Sequence, residues 1–306
     1  MAYSTISKPS LHFNTATYAG NGGTNAITGL GFQPDLVWTK NRSATANHLL
    51  YDAVRGAGYY LYPNLTNGQG GSGSPSTTLV TFDSDGFTLG SDGQVNTNNH
   101  TYVAYSWKVN GGTSASNSDG STSSNVEVNT DQGISMISYG GTGQNATVGH
   151  GLGKVPEFIM MMDRYNGGGW RIWHKDLTSP SYYLDFTNGQ QTSSSSMWNN
   201  TRPTSSVFSL GTSAPANGSG RQHICWAFTS IPGFSKIGSY IGNNSQYGEV
   251  VELGFEPAFV IIKGSSNTEN WHMFDNKRDT FNPTDQALQP NTNAAEFTET
   301  NVLDFL

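Results

Sequence analysis

Short apolar runs bounded by turn residues recur along the chain, and no 3.6-residue apolar stripe persists for three helical turns. The runs are β-branched and aromatic, as in Asp35-Leu-Val-Trp-Thr-Lys40, Glu157-Phe-Ile-Met-Met-Met162 and Ala258-Phe-Val-Ile-Ile-Lys263. Runs of that length and composition predict buried central strands. Each follows a proline, Pro34, Pro156 or Pro257, where a strand start tolerates the missing amide donor. A second type, Tyr102-Val-Ala-Tyr-Ser-Trp107 and His223-Ile-Cys-Trp-Ala-Phe228, alternates aromatic and small residues and predicts strands packed on both faces. Turns such as Asn21-Gly22-Gly23 and Asp85-Gly86 supply the positive φ that tight reversals need. The pattern predicts an all-β chain of antiparallel β-sandwich repeats, lectin-like in type.

The repeat is readable from paired markers. Tyr18, Tyr139 and Tyr240 each precede a Gly-x-x-Pro step; Tyr18 to Tyr139 spans 121 positions and Pro34 to Pro156 spans 122, while both following intervals span 101. The longer first interval is explained by the polar stretch Gly111–Asn125, which reads as a flexible linker. The repeat is therefore about 100 residues. The expected organisation is an N-terminal arm (1–14), a first repeat (15–110), a linker (111–130), a second repeat (131–232) and a partial third (233–306). Asp52, Asp176 and Asp275 fall 18, 20 and 18 positions after the three prolines and read as counterparts. Phe82 and Phe305 each lie 30 residues after their Asp, so the sequence reaches Leu306 before a third counterpart of 83–107. The expectation is either truncation or completion of the sheet by strand addition from a neighbouring subunit.

Composition narrows the classes. Charged residues are 12% of the 306, against roughly 25% in an average soluble domain, and Gly, Asn, Ser and Thr take their place. Aromatics at 12% argue against simple disorder. A net charge of -7 with 15 Lys+Arg argues against a nucleic-acid groove. No apolar stretch approaches the roughly 20 residues of a membrane helix, and Met1–Lys8 lacks the apolar core of a signal peptide. The single Cys225 excludes an internal disulfide framework.

Candidate chemistry is sparse. Asp83 and Asp85 flank Ser84 as alternate carboxylates, a weak Ca²⁺-like pattern without the further ligands of an EF-hand, and an ordinary turn reads better. His150, His174, His223 and Cys225 lack zinc-ligand spacing. Neither a metal nor a cofactor is expected. Asp52 with Arg55 and Asp275 with Arg278 read as repeated structural ion pairs at an exposed turn. Tyr59, Tyr60, Tyr62, Trp170, Trp173, Tyr182, Tyr183 and Trp198 lie outside the alternating strands and are the candidates for stacking on sugar rings, against the alternative of interior packing. No nucleophile elbow, phosphate-binding loop or His-Glu metalloprotease motif is present, and no catalytic residue is assigned.

Thr5–Asn14, the Gly-Asn-Gly turn after Tyr18, Gly-Phe-x-Pro-Asp-Leu-Val-Trp-x-Lys-x-Arg at 31–42, Leu50–Gly56, Phe82–Gly90 and Tyr102–Lys108 together resemble a repeat domain of virion structural and tail-fibre-like proteins of bacteriophages, particularly marine ones. The second repeat departs from it, with Lys154-Val155 at the Gly-Phe step. The resemblance implies a non-enzymatic structural or adhesive role in the virion, with other virion proteins as partners. The arm would pack against a neighbouring subunit, and a homo-oligomer, by analogy with fibres a trimer, is expected. Two alternatives stand beside it: a carbohydrate-binding lectin without a virion role, and a surface-polysaccharide depolymerase, which needs two facing carboxylates in a cleft.

Overall fold

The computed structural model describes residues 6–187, 189–245, 248–300 and 302–306. It is nearly all β, 34% strand and 4% helix, in several antiparallel sheets. The first segment contains β1 (Phe13–Ala19), β2 (Asn25–Thr28), β3 (Leu36–Asn41), β4 (Leu49–Asp52), β5 (Tyr60–Leu61), β6 (Leu79–Asp83), β7 (Gly86–Leu89), the one-turn α1 (Gly93–Asn96) and β8 (Thr101–Trp107). Five strands pair in the order β1-β8-β3-β4-β5, and β2-β7-β6 form a second sheet. The two sheets face each other across a core that includes Ile27, Val37, Tyr51, Phe87 and Ala104. The opposite face of the larger sheet, carrying Leu36, Trp38, Leu50 and Tyr105, is buried against the rest of the molecule. Burial of both faces explains why β3 is a continuous apolar run with no alternation.

The second segment holds β9 (Ala115–Asn117), β10 (Ser124–Asn129), β11 (Ile134–Gly140), β12 (Ala146–Gly149), β13 (Phe158–Asp163), β14 (Arg171–His174), β15 (Tyr182–Tyr183), β16 (Thr192–Ser193), β17 (Val207–Leu210), α2 (Ala214–Asn217) and β18 (Gln222–Phe228). Its main sheet runs β14-β13-β18-β11-β10-β9, so β11, β18, β13 and β14 reproduce the order of β1, β8, β3 and β4. The register recurs as well: Leu36 lies opposite Trp107, and Phe158 opposite Phe228. Gly31, Gly153 and Gly254 all adopt positive φ, so the Gly-x-x-Pro step depends on left-handed glycine each time.

The expected flexible linker is a correction. Residues 115–117 and 124–129 are strands β9 and β10, which extend the second sheet beyond β11. Val126 is buried, and the Ser124 hydroxyl donates to the Gly149 carbonyl at 2.8 Å. A polar, Gly/Ser/Asn-rich composition hid strands whose stability comes from ladder bonds and side-chain caps. The arm is likewise part of the body: β1 begins at Phe13, Pro9–Leu11 form a single 3-10 turn, and the His12 ring meets Phe234 edge-on at 6.1 Å. Residues 1–5 of the arm lie outside the described residues.

The third segment contains β19 (Phe259–Ile262), β20 (His272–Asp275), β21 (Gln286–Ala287) and β22 (Phe297–Thr298). β19 and β20 correspond to β3 and β4 and form a two-stranded sheet. Among the described residues, no strand corresponds to β8, and residues 236–245 and 248–254, which parallel β1 and β2, are outside any strand. Trp271, Met273 and Leu288 of this segment join one apolar core with Trp38 and Tyr105 of the first and Trp170 and Trp226 of the second.

Candidate functional site

At the centre, three equivalent positions make three equivalent bonds. His48, Trp170 and Trp271 each immediately precede the second strand of their segment's main sheet, β4, β14 or β20. The Trp170 indole N–H donates to the Tyr62 carbonyl at 2.9 Å and the Trp271 indole N–H to the Asp185 carbonyl at 2.9 Å. His48 closes the cycle: its Nδ1 accepts from Trp38 Nε1 at 3.0 Å, which leaves Nε2 to donate to the Gln289 carbonyl at 3.1 Å. Second bonds to first, third to second, and first to third. Burial, followed by the nearby Lys40 charge, pushes the His48 pKa well below its ordinary value, so the neutral tautomer is the one that fits.

The Asp–Arg pairs extend the same relationship. Arg55 Nε pairs with Asp52 Oδ2 at 2.6 Å, both side chains fully buried, and its guanidinium lies 5.6 Å from the ring centre of Trp226 in the second segment. Arg278 pairs with Asp275, again fully buried, and Asp275 Oδ2 accepts from the Tyr105 hydroxyl at 2.8 Å. Tyr105 and Trp226 are counterparts on β8 and β18. Glu296 then bridges Arg278 and Arg42, each at 2.8 Å. Burial acts to lower the Arg278 pKa, and Tyr105, Asp275 and Glu296 more than offset it. The expected exposed turn pairs are therefore buried, because a neighbouring segment covers them. Asp176 is not a counterpart of Asp52: β14 ends at His174, so His174 and Leu177 take the places of Asp52 and Arg55, and Asp176 is exposed.

The sugar-stacking candidates divide. Trp170, Trp173 and Trp198 are at most 2% exposed and present no ring face, a correction set by interior packing. Tyr59, Tyr60, Tyr62, Tyr182 and Tyr183 are half-buried and do not converge: Tyr60 meets Tyr62 edge-on at 5.1 Å, and the Arg171 guanidinium covers Tyr183 at 5.2 Å. Asp83 accepts from the Thr81 and Thr88 hydroxyls, whereas Asp85 accepts from the Gly29 and Gly31 amides, so the two carboxylates serve separate turns. Among the described residues no group of three His, Cys, Asp or Glu side chains is arranged to hold a metal. Cys225 is buried.

Two features escaped the sequence reading. One is a buried carboxyl pair where the first segment meets the second. Asp35 Oδ2 accepts from the Val109 and Gly111 amides at 2.6 and 3.0 Å, and Glu127 Oε1 from those of Asn110 and Gly112 at 3.0 and 2.9 Å. Successive amides thus alternate between the two carboxyls. Burial and then the Asp35 charge push Glu127 up to about 7. Both groups are sealed from solvent, so this pair is not a cleft for hydrolysis.

The other is a polar groove of about 350 Å³ where the first and third segments meet, with Asn41, Asn47, Gln94, His100 and Asn293 on its walls. Asn41 Nδ2 lies 3.0 Å from His100 Nδ1, and the Ala46 amide donates to the Asn293 carbonyl at 3.0 Å. The lining is amide, hydroxyl and imidazole with no Asp, Glu, Lys or Arg, a chemistry suited to neutral hydroxyl-rich ligands. Next to Asn41 in the chain, Lys40 donates to the Asn41 carbonyl at 2.7 Å, and burial lowers its pKa to about 8.

No helix among the described residues is long and apolar enough to cross a membrane. No curated protein and no solved structure matches the chain. A family model described as a domain of unknown function, DUF7483, matches residues 8–306. Nearly the whole chain, from the 3-10 turn of the arm to the last residue of the third segment, is thus spanned by one family, and the protein belongs to the DUF7483 family.

Proposed function

We propose that the protein is a structural component of a bacteriophage virion, a tail-fibre or related appendage subunit serving assembly and host-surface adhesion. In this reading the segments are tandem lectin-like β-sandwich repeats, and the chain works without catalytic residues or a cofactor. Its partners are other virion proteins and further copies of itself, as a trimer by analogy with fibres. The observation that carries the reading is a body closed by buried contacts among three segments that share one apolar core. Weakly charged, Gly/Asn/Ser/Thr-rich loops suit repeated burial against sister subunits, since few charges must be desolvated. The test is immunogold electron microscopy of purified particles with antibody against this chain. Label on the tail or its appendages is expected; particles that contain none of the chain would refute the reading.

A second reading, a glycan-binding module without a virion role, is favoured by the uncharged groove beside Asn47 and Gln94. Glycan-array binding that is lost in Asn47→Ala and Gln94→Ala variants, by a chain that forms no assembly, would select it.

A further inference from the structure

We propose that the polar groove where the third segment meets the first binds a neutral saccharide, that the Asn41–His100 pair orients it, and that the bound sugar bridges the two segments. The inference deepens the glycan-binding reading above and rests on it.

The joint between the first and second segments is built the same way and serves as the comparison. Residues 41–48 and 163–170 correspond at a spacing of 122 positions, the interval from Pro34 to Pro156. The Ala46 amide donates to the Asn293 carbonyl at 3.0 Å, and the Gly168 amide to the Thr66 carbonyl at 2.9 Å. The Glu296 amide donates to the Arg42 carbonyl, as the Gln69 amide does to the Arg164 carbonyl. Asn41 Oδ1 accepts from the Ser43 and Ala44 amides at 3.1 and 3.0 Å. Asp163 Oδ1 accepts from those of Tyr165 and Asn166 at the same two distances. Beyond this shared frame the two joints diverge. At the first–second joint the chain fills its own space: a Cβ on Gly167 would come within 2.2 Å of the Thr66 oxygen, and one on Gly68 within 2.6 Å of the Tyr165 oxygen. A Cβ on Gly218 would come within 2.3 Å of Arg221 Cδ, and Arg221 pairs with Asp163 at 3.0 Å. At the third–first joint, Thr45, Thr97 and His100 stand where Gly167, Gly218 and Arg221 close the other, and a groove of about 350 Å³ remains.

The polar groups of the groove are fixed from behind. Asn41 is buried, and the two amides that hold its oxygen turn its nitrogen toward His100 Nδ1, 3.0 Å away. An amide nitrogen can only donate, so Nδ1 accepts and the neutral imidazole carries its proton on Nε2. His100 thus brings one oriented N–H donor to the groove it lines. Asn47 is set in the same manner: its Oδ1 accepts from Asn64 Nδ2 at 2.8 Å, which leaves its own amide nitrogen toward Gln94 Oε1, 3.4 Å away. Asn293 adds the third segment to the lining, held there by the Ala46 amide. At the first–second joint the Asp163 carboxylate is spent on Arg221, whereas Asn41 and His100 form a neutral pair. Preset neutral donors match the hydroxyl oxygens of a sugar. A uronate or sialate carboxylate would lose its hydration with no Lys or Arg in the lining to pair with it.

The probes are neutral oligosaccharides of hexose and N-acetylhexosamine and acidic ones containing uronate or sialate, arrayed and exposed to the whole chain. Retention of neutral members alone is expected. The strongest of them, titrated by calorimetry, should bind His100→Phe at least about tenfold more weakly, since the ring stays and the donor goes. Thr45→Trp fills the groove from an exposed position whose side chain makes none of the bonds above, and should abolish binding with an unchanged thermal transition. Bound sugar should slow hydrogen exchange in both 44–47 and 292–296. Equal binding by parent, His100→Phe and Thr45→Trp would overturn the proposal and leave the glycan reading standing, with the sugar held elsewhere. Preference for acidic members would overturn the neutral class, and protection confined to the first segment would overturn the bridge. A parent chain that retains no glycan would remove the glycan reading itself, and this proposal with it.

Discussion

The Trp170 indole N–H and the Tyr62 carbonyl oxygen, 108 positions apart in sequence, are joined by a 2.9 Å hydrogen bond that ties the second segment to the first. With the Trp271–Asp185 and His48–Gln289 bonds it forms a closed cycle, so each segment is both donor and acceptor. Loss of one donor leaves a carbonyl without its partner in the interior. Trp170→Phe and Trp271→Phe are each expected to lower unfolding stability by at least about 1–3 kcal/mol, read by urea denaturation. Unchanged midpoints would show that the cycle is incidental to folding.

The Asp275–Arg278 pair is fully buried and bonded to Tyr105, so removing one partner strands a charge. Arg278→Met or Asp275→Asn alone is expected to cost about 3–5 kcal/mol. Arg42→Ala, at the partly exposed end of the same network, should cost about 1 kcal/mol or less. A double-mutant cycle between Tyr105→Phe and Asp275→Asn should show coupling, because the two groups are hydrogen-bonded.

Glu127 is raised to about 7 in the fold from an ordinary value of 4.5, by burial and then by Asp35; Asp52 acts in the same direction. The unfolded chain therefore loses this proton at lower pH than the folded one. The stability it contributes is complete below 4.5 and is lost as pH rises through about 7. Glu127→Gln keeps an oxygen to accept the Asn110 and Gly112 amides and removes the charge. Thermal scans at pH 5 and pH 8 should show the variant gaining on the parent at the higher pH. A constant difference would mean that Glu127 does not titrate in this window.

Gly20 and Gly141 lie against carbonyl oxygens, and Gly242 lies in open space. Gly20→Ala and Gly141→Ala should each lower the melting temperature by several degrees, since about 1 kcal/mol already shifts a domain of this size by a few degrees. Gly242→Ala should leave it unchanged. Differential scanning fluorimetry of the three single variants would decide the point.

Much of this arrangement is legible in the sequence, and the failures are instructive. The proline markers put strands β3, β13 and β19 in the right places. Held at the 18-residue spacing of Asp52 and Asp275, the same markers point to His174; the 20-residue spacing of Asp176 was the sign of a false counterpart. The central cycle was hidden because one of its members is His where the other two are Trp, and residue type alone does not align them. Glu127 was passed over because it lies in a stretch whose Ser and Asn content reads as linker.

By itself, the sequence determined strand type, the positions of the strands that follow the three prolines and the turn positions. These depend on local alternation, on β-branched and aromatic content and on where glycine permits positive φ. Only the tertiary structure decided which faces are interior. A sheet apolar on both sides can be covered in more than one way, and packing three segments around a shared core buried the Asp–Arg pairs expected at an exposed turn and settled Trp170, Trp173 and Trp198, for which pattern alone allowed either stacking on a ligand or interior packing, as interior.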